Sequence, residues 1–210
     1  MKIHSTHTLC SIPRFDSIRA MAANLSVVLT VTWAIFVIVW IIGAFTSKRT
    51  VRRQSWASRF GIVAIAILEY LLLFWAARYF GFANRRFLPD SPIYRLIGVF
   101  MTIAGVMFAI WARVTLGRNW SGTVTVKQNH ELIRTGPYAL VRHPIYPGIT
   151  FAVIGTAIFD REVRSIILIV VMLSVLTHKM KIEEQLMTTQ FGSEYTSYRQ
   201  NTKALLPFVW

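Results

Sequence analysis

Two polar stretches interrupt an otherwise apolar chain, and they hold the residues that could do chemistry. They cover residues 113–148 and 178–210 and are rich in Gly, Pro, His, Tyr and charged side chains. The single cysteine, Cys10, excludes an internal disulfide and any multi-cysteine zinc site, and the five histidines are spread too widely for a metal cluster. We therefore predict no metal site, and we expect any chemistry to rest on carboxylates, cations and aromatic rings.

The end of the first stretch has the pattern of a turn followed by the start of a helix. Gly136-Pro137 is a turn signal, and Pro144 fits the first turn of the next helix, where its missing N–H is not needed. Arg142 and His143 would then lie at a helix N-terminus. Free backbone N–H groups and the helix dipole could receive a carboxylate there, and Arg142 would add a second attraction. The pattern suits an anionic ligand group.

In the second stretch, Lys179 and Glu183 are four residues apart, so they share one face if the preceding helix continues this far. A cation and an anion would then project together toward a ligand. The same spacing is also typical of an ordinary exposed helix pair, and spacing alone leaves both interpretations open.

The elements that position these residues are predicted to be membrane helices. Of the 210 residues, 54% are hydrophobic and 15% charged, and the mean hydropathy of +0.49 is too high for an ordinary soluble domain. The net charge of +14 indicates an anionic membrane surface, since the basic residues mostly flank apolar runs and match no nucleic-acid-binding module. We predict an all-α, polytopic membrane protein with membrane lipids and no nucleic acid as partners.

Apolar runs predict about five transmembrane helices, because the longer runs approach the ~20 residues that cross a bilayer. The first is expected to be an uncleaved anchor, and the last two to form a C-terminal helical hairpin. Within the second run, Glu69 could line a cavity, pair with Arg78 or be neutral, and we leave it outside the site. The five runs cover residues 25–45, 60–77, 96–112, 145–159 and 166–176.

The distribution of basic residues predicts the orientation. With five crossings, residues 46–59, 113–144 and 177–210 share one side, which has 14 Lys and Arg against nine on the other. The positive-inside rule places that side in the cytoplasm. We therefore expect an integral protein of the inner, cytoplasmic membrane whose two polar stretches face the cytoplasm.

Taken together, the two stretches resemble the isoprenylcysteine carboxyl methyltransferase family. The resemblance rests on Gly-Pro-Tyr at 136–138, Arg-His-Pro-x-Tyr-x-Gly at 142–148, Glu-Glu-x-Leu at 183–186 and Phe-Gly-x-Glu-Tyr-x-x-Tyr at 191–198. It implies an integral membrane enzyme that uses S-adenosylmethionine without a Rossmann domain, similar to the smaller prokaryotic members. It also implies a single membrane domain, 1–210, with N-terminal spans in 1–112 and a methyltransferase-like catalytic region in 113–210.

The resemblance assigns roles residue by residue. Lys179 matches a position where relatives place an arginine beside the substrate carboxylate, and a lysine lacks the bidentate fork of arginine. Arg142 is the second cation assigned to catalysis. The matched set supplies a carboxylate, donors and aromatic rings for the ammonium, carboxylate, adenine and sulfonium of the cofactor. The positions that match cofactor contacts are His130, Leu132, Ile133, Tyr138, His143, Pro144, Ile145, Tyr146, Glu183 and Glu184.

The implied reaction is methyl transfer to a lipophilic or amphipathic acceptor, such as the carboxylate of isoprenylcysteine. Such a carboxylate is ionised at neutral pH and needs no general base. The implied substrate is a lipophilic small molecule or a prenylated protein. The alternatives are a lipid-headgroup or small-thiol methyltransferase, an NADPH-dependent sterol-type membrane reductase, and a non-enzymatic membrane protein.

Overall fold

The computed structural model describes residues 13–46, 50–53, 81–120, 125–127 and 131–206. Helices dominate these ranges, which confirms the predicted all-α architecture. A short antiparallel ribbon of β1 (Thr50–Arg53) and β2 (Thr125–Lys127) adds to it and has no signal in the hydrophobic pattern. The helices are α1 (Pro13–Phe45), α2 (Pro92–Leu116), α3 (Pro137–Leu140), α4 (Ile145–Asp160), α5 (Val163–Phe191) and α6 (Ser193–Asn201), and a 3-10 turn (Gly117–Asn119) follows α2.

Three of the described helical segments are long and apolar enough to cross a membrane. They are Ala20–Phe45, Pro92–Asn119 and Val163–Phe191, and α4 is a shorter apolar helix. These four helices correspond to four of the five predicted spans, including the C-terminal hairpin. The predicted span 60–77, with Glu69, lies outside the described residues. The molecule is a polytopic integral membrane protein, as its composition predicts.

Helices α2 and α4 pack antiparallel along a line of small residues. A Cβ atom added to Gly98 would lie 2.6 Å from the carbonyl oxygen of Gly155, and one added to Gly105 would lie 2.5 Å from the backbone nitrogen of Ala152. The buried hydroxyl of Thr102 lies 3.2 Å from the carbonyl oxygen of Ala152. Close backbone approach of this kind is a main source of helix association in lipid, where apolar burial gives little advantage.

Helix α1 joins this pair from one side. Leu29 packs with Val99 of α2 and Phe159 of α4, and the indole nitrogen of Trp33 donates to the hydroxyl of Thr156 at 3.1 Å. Gly43, near the end of α1, lies against Arg113 in the last turn of α2, and Gly148, near the start of α4, lies against Ala109 of α2. The C-terminal end of α1 therefore lies near the end of α2 and the start of α4. This is the end of the bundle where the candidate site lies.

The opposite end is closed by the loop before α2 and the turn of the α4–α5 hairpin. Arg161 ends α4 in the left-handed conformation, with φ of 63°, and its carbonyl accepts a hydrogen bond from Phe87 at 2.9 Å. Its guanidinium binds Asp90, which also accepts from Arg95 at 3.1 Å. The hydrogen bond from Arg161 is the main reason why the pKa of Asp90 is lowered. These contacts fix the hairpin turn relative to α2.

Candidate functional site

A cavity of about 340 Å³ lies where α2 ends and α4 begins, a size typical of a pocket for one small ligand. Ile149 on α4 and Leu176 on α5 lie on the membrane side of Tyr146 and Lys179, whereas Leu186 and Met187 line the cavity beyond Glu183, on the side away from the membrane. The polar lining consists of Asn119, Glu131, Tyr138, Arg142, His143, Tyr146, Lys179, Glu183, Tyr195 and Tyr198. The apolar lining consists of Trp40, Leu116, Trp120, Leu132, Ile133, Ile145, Ile149, Leu176, Leu186 and Met187.

The segment from Gly136 to the start of α4 forms one wall of the cavity, and it begins with the turn predicted from sequence. Gly136 has a φ of 58°, a conformation that favours glycine, and α3 begins at the next residue. The prediction that Arg142 and His143 offer free backbone N–H groups is wrong. The N–H of Arg142 donates to the carbonyl of Lys203 at 2.8 Å, and that of His143 donates to Ala204 at 3.0 Å. The C-terminal segment, residues 202–206 after α6, therefore occupies the donors that an anionic ligand would need.

Glu183 is held by three side chains at the cavity wall. The Tyr146 hydroxyl donates to its Oε2 at 2.5 Å, His143 Nδ1 lies 3.6 Å from the same oxygen, and Lys179 Nζ lies 3.7 Å from Oε1. The side chains of Lys179 and Glu183 are only 19% and 22% exposed. This degree of burial distinguishes the pair from an ordinary exposed helix pair, the second interpretation that the spacing allows.

Glu184, the next residue, faces a different set of partners. Arg142 donates to Glu184 Oε1 from Nε at 2.9 Å and from Nη2 at 2.6 Å. The remaining Nη1 donates to the carbonyls of Arg199, at 3.1 Å, and Thr202. Arg142 therefore ties α5 to the C-terminal segment, and its guanidinium is committed to protein acceptors although it lines the cavity.

His143 lies between the two carboxylates. Its Nε2 is 3.4 Å from Glu184 Oε1, and its ring is parallel to that of Tyr146, with centroids 5.5 Å apart. Burial by itself lowers the pKa of His143, but hydrogen bonds and charges from Glu183 and Glu184 outweigh burial and raise the pKa above its usual value. A protonated imidazolium here neutralises part of the charge of the acid pair.

Tyrosines from α3 and α6 complete the polar lining. The Tyr198 hydroxyl donates to the buried carbonyl of Tyr138 at 2.5 Å, which fastens α6 to α3. Burial raises the pKa of Tyr138 and Tyr195, and it raises the pKa of Tyr198 to about 12. These phenols are therefore neutral at physiological pH and act as hydrogen-bond donors rather than bases.

Most of the predicted site residues meet at this cavity. Pro144 is fully buried behind the lining, Glu184 is turned toward Arg142, and His130 lies outside the described residues. The predicted residues that line the cavity are Leu132, Ile133, Tyr138, Arg142, His143, Ile145, Tyr146, Lys179 and Glu183.

Several lining residues are missing from the predicted set. Tyr195 and Tyr198 belong to the second motif and could have been included from it, and Glu131 lies inside the matched segment that begins at His130. Trp40 and Trp120 have no local signal, because tryptophans are common at membrane interfaces. Trp120 follows the end of α2 directly, whereas only the packing of α1 against α2 brings Trp40 to the cavity.

Comparison with known proteins places this site in a family context. Residues 97–189 match the sequence model of the isoprenylcysteine carboxyl methyltransferase (ICMT) family. A probable protein-S-isoprenylcysteine O-methyltransferase of Oryza sativa subsp. indica is 29% identical over 116 residues, which are 54% of this chain and 61% of the relative. The protein-S-isoprenylcysteine O-methyltransferase of Saccharomyces cerevisiae is 27% identical over 122 residues, 57% of this chain and 51% of the relative.

A solved structure shares the fold. The eukaryotic intramembrane Ras methyltransferase ICMT superposes with a TM-score of 0.51 and 23% identity, over 74% of this chain and 55% of the other. The chain thus spans between half and two thirds of the length of these relatives. The resemblance predicted from the motifs is confirmed: residues 97–189 of this chain are similar to the isoprenylcysteine carboxyl methyltransferase family.

Proposed function

We propose that this chain is a membrane methyltransferase that transfers a methyl group from S-adenosylmethionine to the carboxylate of a lipophilic, isoprenylcysteine-like acceptor. The observation that carries the proposal is the cavity itself. Inside the family-matched segment, the partly buried Glu183, held by Tyr146, His143 and Lys179, lies in the same cavity as apolar lining on the membrane side. A cationic donor and a lipophilic acceptor need these two surfaces next to each other.

The chemistry of the lining fits S-adenosylmethionine. The carboxylates of Glu183 and Glu131 are suited to its ammonium group, and the rings of Tyr138 and Tyr146 offer electron-rich faces to its sulfonium and adenine. When bound, the cofactor supplies an electrophilic methyl group. We assign Leu132, Ile133 and Ile145 to apolar packing against it. Pro144, and Glu184 through Arg142, are assigned to the shape of this wall, and His130 remains a sequence-based assignment.

The titrating groups of the cavity favour an acceptor that is already ionised. The tyrosines are neutral phenols with raised pKa values, and His143 has a raised pKa because it is bound between two carboxylates. Each is therefore a poor proton acceptor at neutral pH. An amine or thiol acceptor would have to lose a proton, whereas a carboxylate with a reference pKa of ~3.5 would not. This argues for the carboxylate and against the small-thiol alternative.

The remaining contribution of the chain is positioning and exclusion of water. Lys179 would orient the acceptor carboxylate as a point charge. Its Nζ lies 3.7 Å from Glu183 Oε1, a loose contact that leaves the ammonium group able to bind a second carboxylate. Ile149 and Leu176 would hold the apolar part of the acceptor away from water. Holding the reacting groups in line and stripping water from the nucleophile are the two effects expected to lower the barrier most.

We also propose that the cavity faces the cytoplasm across the inner membrane. The described parts of residues 113–144 and 177–206 gather at the end of the bundle where the cavity lies, and these are the segments that the positive-inside rule assigns to the cytoplasm. A cofactor dissolved in the cytoplasm would enter from that side, and the lipophilic acceptor would come from the bilayer.

Labelled-methyl transfer by the detergent-purified protein tests the activity. An S-prenylated N-acetylcysteine with a free carboxylate is compared with its carboxamide, with a small aliphatic thiol and with phosphatidylethanolamine vesicles. We expect label only in the carboxylate acceptor, as a methyl ester that alkali cleaves. Label in the thiol or the lipid headgroup, or NADPH oxidation with a sterol and no methyl transfer, would reassign the function.

A further inference from the structure

We infer that Trp40 is a specificity-determining residue that ends the apolar part of the cavity and so limits the length of the acceptor's apolar tail. The inference rests on the proposed function and deepens it, since it concerns the acceptor side of the same cavity. Trp40 lies on α1, outside the segment that matches the family. The limit on tail length would then be set by a part of this chain that the family match does not include.

The position of Trp40 supports its role as the end wall of the cavity on the membrane side. Among the cavity-lining residues, Trp40 is the one contributed by α1. It lies more than one helical turn before the end of α1 at Phe45, hence on the membrane side of that helix end. Trp40 therefore belongs to the membrane side of the lining, as Ile149 and Leu176 do, and this position suits an indole that ends the apolar part.

The indole of Trp40 is braced on two sides. It stacks on Phe36 of its own helix, with ring centroids 4.0 Å apart, and it meets the ring of Trp120 edge-on at 6.2 Å. Trp120 also lines the cavity. Two large indoles, each fixed by a neighbour, form a wall that cannot move aside as a single flexible side chain would.

Arg113 holds the second indole in place. Its guanidinium carbon lies 4.2 Å from the centroid of the Trp120 ring, and its Nη1 donates to the carbonyl of Gly117 at 2.9 Å. Arg113 is buried, and within the described part of the chain its Nε and Nη2 have no hydrogen-bond partner. The face of the Trp120 ring is therefore its principal electrostatic contact, and we treat Arg113 as a positioning residue for this wall.

Gly43 connects this brace back to α1. A Cβ atom added to Gly43 would lie 2.1 Å from Arg113 Nη2, so a larger residue here would displace the guanidinium from its present position. Gly43 follows Trp40 by three residues and lies on the same face of α1. Helix α1 thus contributes both Trp40, which ends the apolar part of the cavity, and the surface against which Arg113 packs.

The test measures tail-length preference rather than total activity. Wild-type protein and Trp40→Ala are assayed with S-alkyl N-acetylcysteines whose tails have 5, 10, 15 and 20 carbons. We expect the ratio of kcat/KM for the longest to the shortest accepted tail to rise at least about tenfold in Trp40→Ala, the scale on which pocket size discriminates apolar groups. Arg113→Met should shift the ratio in the same direction, and Ile38→Ala, on the lipid-exposed face of α1, should leave it unchanged.

Affinity for S-adenosylhomocysteine separates this inference from its alternatives. It should be the same in Trp40→Ala as in wild type. A loss of that affinity would assign the indole to the cofactor, and an equal change for all tails would make Trp40 merely structural; either result overturns the inference. If Trp40→Ala cannot be purified, Trp40→Phe gives the same test with a smaller ring. Wild-type protein that methylates no carboxylate acceptor would refute the proposed function instead.

Discussion

Glu183 and Glu184 are sequence neighbours on α5 with different partners. Glu183 lines the cavity and meets Tyr146, His143 and Lys179, whereas Glu184 is bound by the guanidinium of Arg142. One carboxylate is therefore available to a ligand, and the other joins α5 to the C-terminal segment. The motif contains both, but it does not say which one faces the ligand.

Replacement of each acid by its amide should separate these roles. Glu183→Gln removes a charge-assisted contact of about 1.5–3 kcal/mol, so we expect about ten- to hundredfold weaker binding of S-adenosylhomocysteine. Its Tm should fall less than that of Glu184→Gln, because Lys179 is partly exposed and His143 keeps Glu184 as a partner. Glu184→Gln leaves Arg142 with an uncompensated charge, and its Tm should fall by about 5 °C or more. Calorimetric titration and thermal unfolding in detergent measure the two effects. The opposite pattern would exchange the two roles.

The pH dependence of stability should report His143. Its pKa is raised in the folded protein, so its stabilising contribution is fully present below the unfolded value of about 6.5 and is lost as pH rises through the raised pKa. The Tm of wild type should therefore exceed that of His143→Gln most near pH 6, and the difference should shrink toward pH 9. A difference that stays constant or grows over this range would show that the imidazolium does not stabilise the acid pair.

At this scale, sequence reasoning found the residue types but not all of their partners. The i, i+4 spacing of Lys179 and Glu183 predicts their contact correctly, because it depends only on the helix. The backbone donors of Arg142 and His143 were predicted to be free, but Lys203 and Ala204 bind them. That pairing joins residues about 60 positions apart, and no local pattern contains it.

Among the helices, the contact between α2 and α4 requires small residues at defined positions of both. Gly98, Gly105, Gly148 and Gly155 each lie where a Cβ atom would come within about 3 Å of the partner helix. The sequence alone does not distinguish these glycines from others, because glycine is common in membrane-spanning helices. Their function as a packing surface becomes visible when the two helices are placed side by side.

Adding one methyl group to this contact should destabilise the bundle. In Gly105→Ala the new Cβ atom would lie 2.5 Å from the backbone of Ala152, so the helices must separate. Overpacking of this kind costs about 1–3 kcal/mol, and we expect Tm to fall by about 3–10 °C. Gly81→Ala, whose Cβ atom would meet nothing within 4 Å, is the matched control. Equal Tm values for the two variants would contradict close packing of α2 on α4.

Helix positions were predicted better than helix lengths. The last apolar run covers residues 166–176, whereas α5 extends from Val163 to Phe191. Hydropathy detects only the part that lies in lipid, while the polar part continues because nothing in it breaks a helix before Gly192, which has a φ of 54°. This extension places Lys179 and Glu183 at the cavity. Through this polar extension, a membrane-spanning helix contributes residues to the site.

For the molecule as a whole, the site depends on parts of the chain that are distant in sequence. Trp40 comes from α1, the polar wall from residues 131–146, the acids from α5 and the tyrosines from α6. The motifs predict most of the polar wall and the acids, and the tyrosines of α6 lie in the second motif but are absent from the predicted set. The contribution of α1 requires the tertiary arrangement. The order of spans, however, places all four at one end of the bundle, in agreement with the predicted topology.

Chemical labelling should establish which side of the membrane this end faces. In a Cys10→Ser background, Ser193→Cys lies on α6 beside the cavity and Gly81→Cys lies at the opposite end of the bundle; both positions are exposed. In right-side-out vesicles, a membrane-impermeant maleimide should label Gly81→Cys directly and Ser193→Cys only after permeabilisation. The reverse labelling would place the cavity outside the cytoplasm.

Calorimetric titration of the detergent-purified protein with S-adenosylhomocysteine, with NADPH as a parallel ligand, measures whether the cavity binds a methyl-donor cofactor. We expect saturable binding of S-adenosylhomocysteine at one site per chain and no binding of NADPH. Binding of NADPH alone would contradict the methyltransferase assignment and support a reductase. Binding of neither ligand would contradict the assignment of this cavity to a nucleoside cofactor.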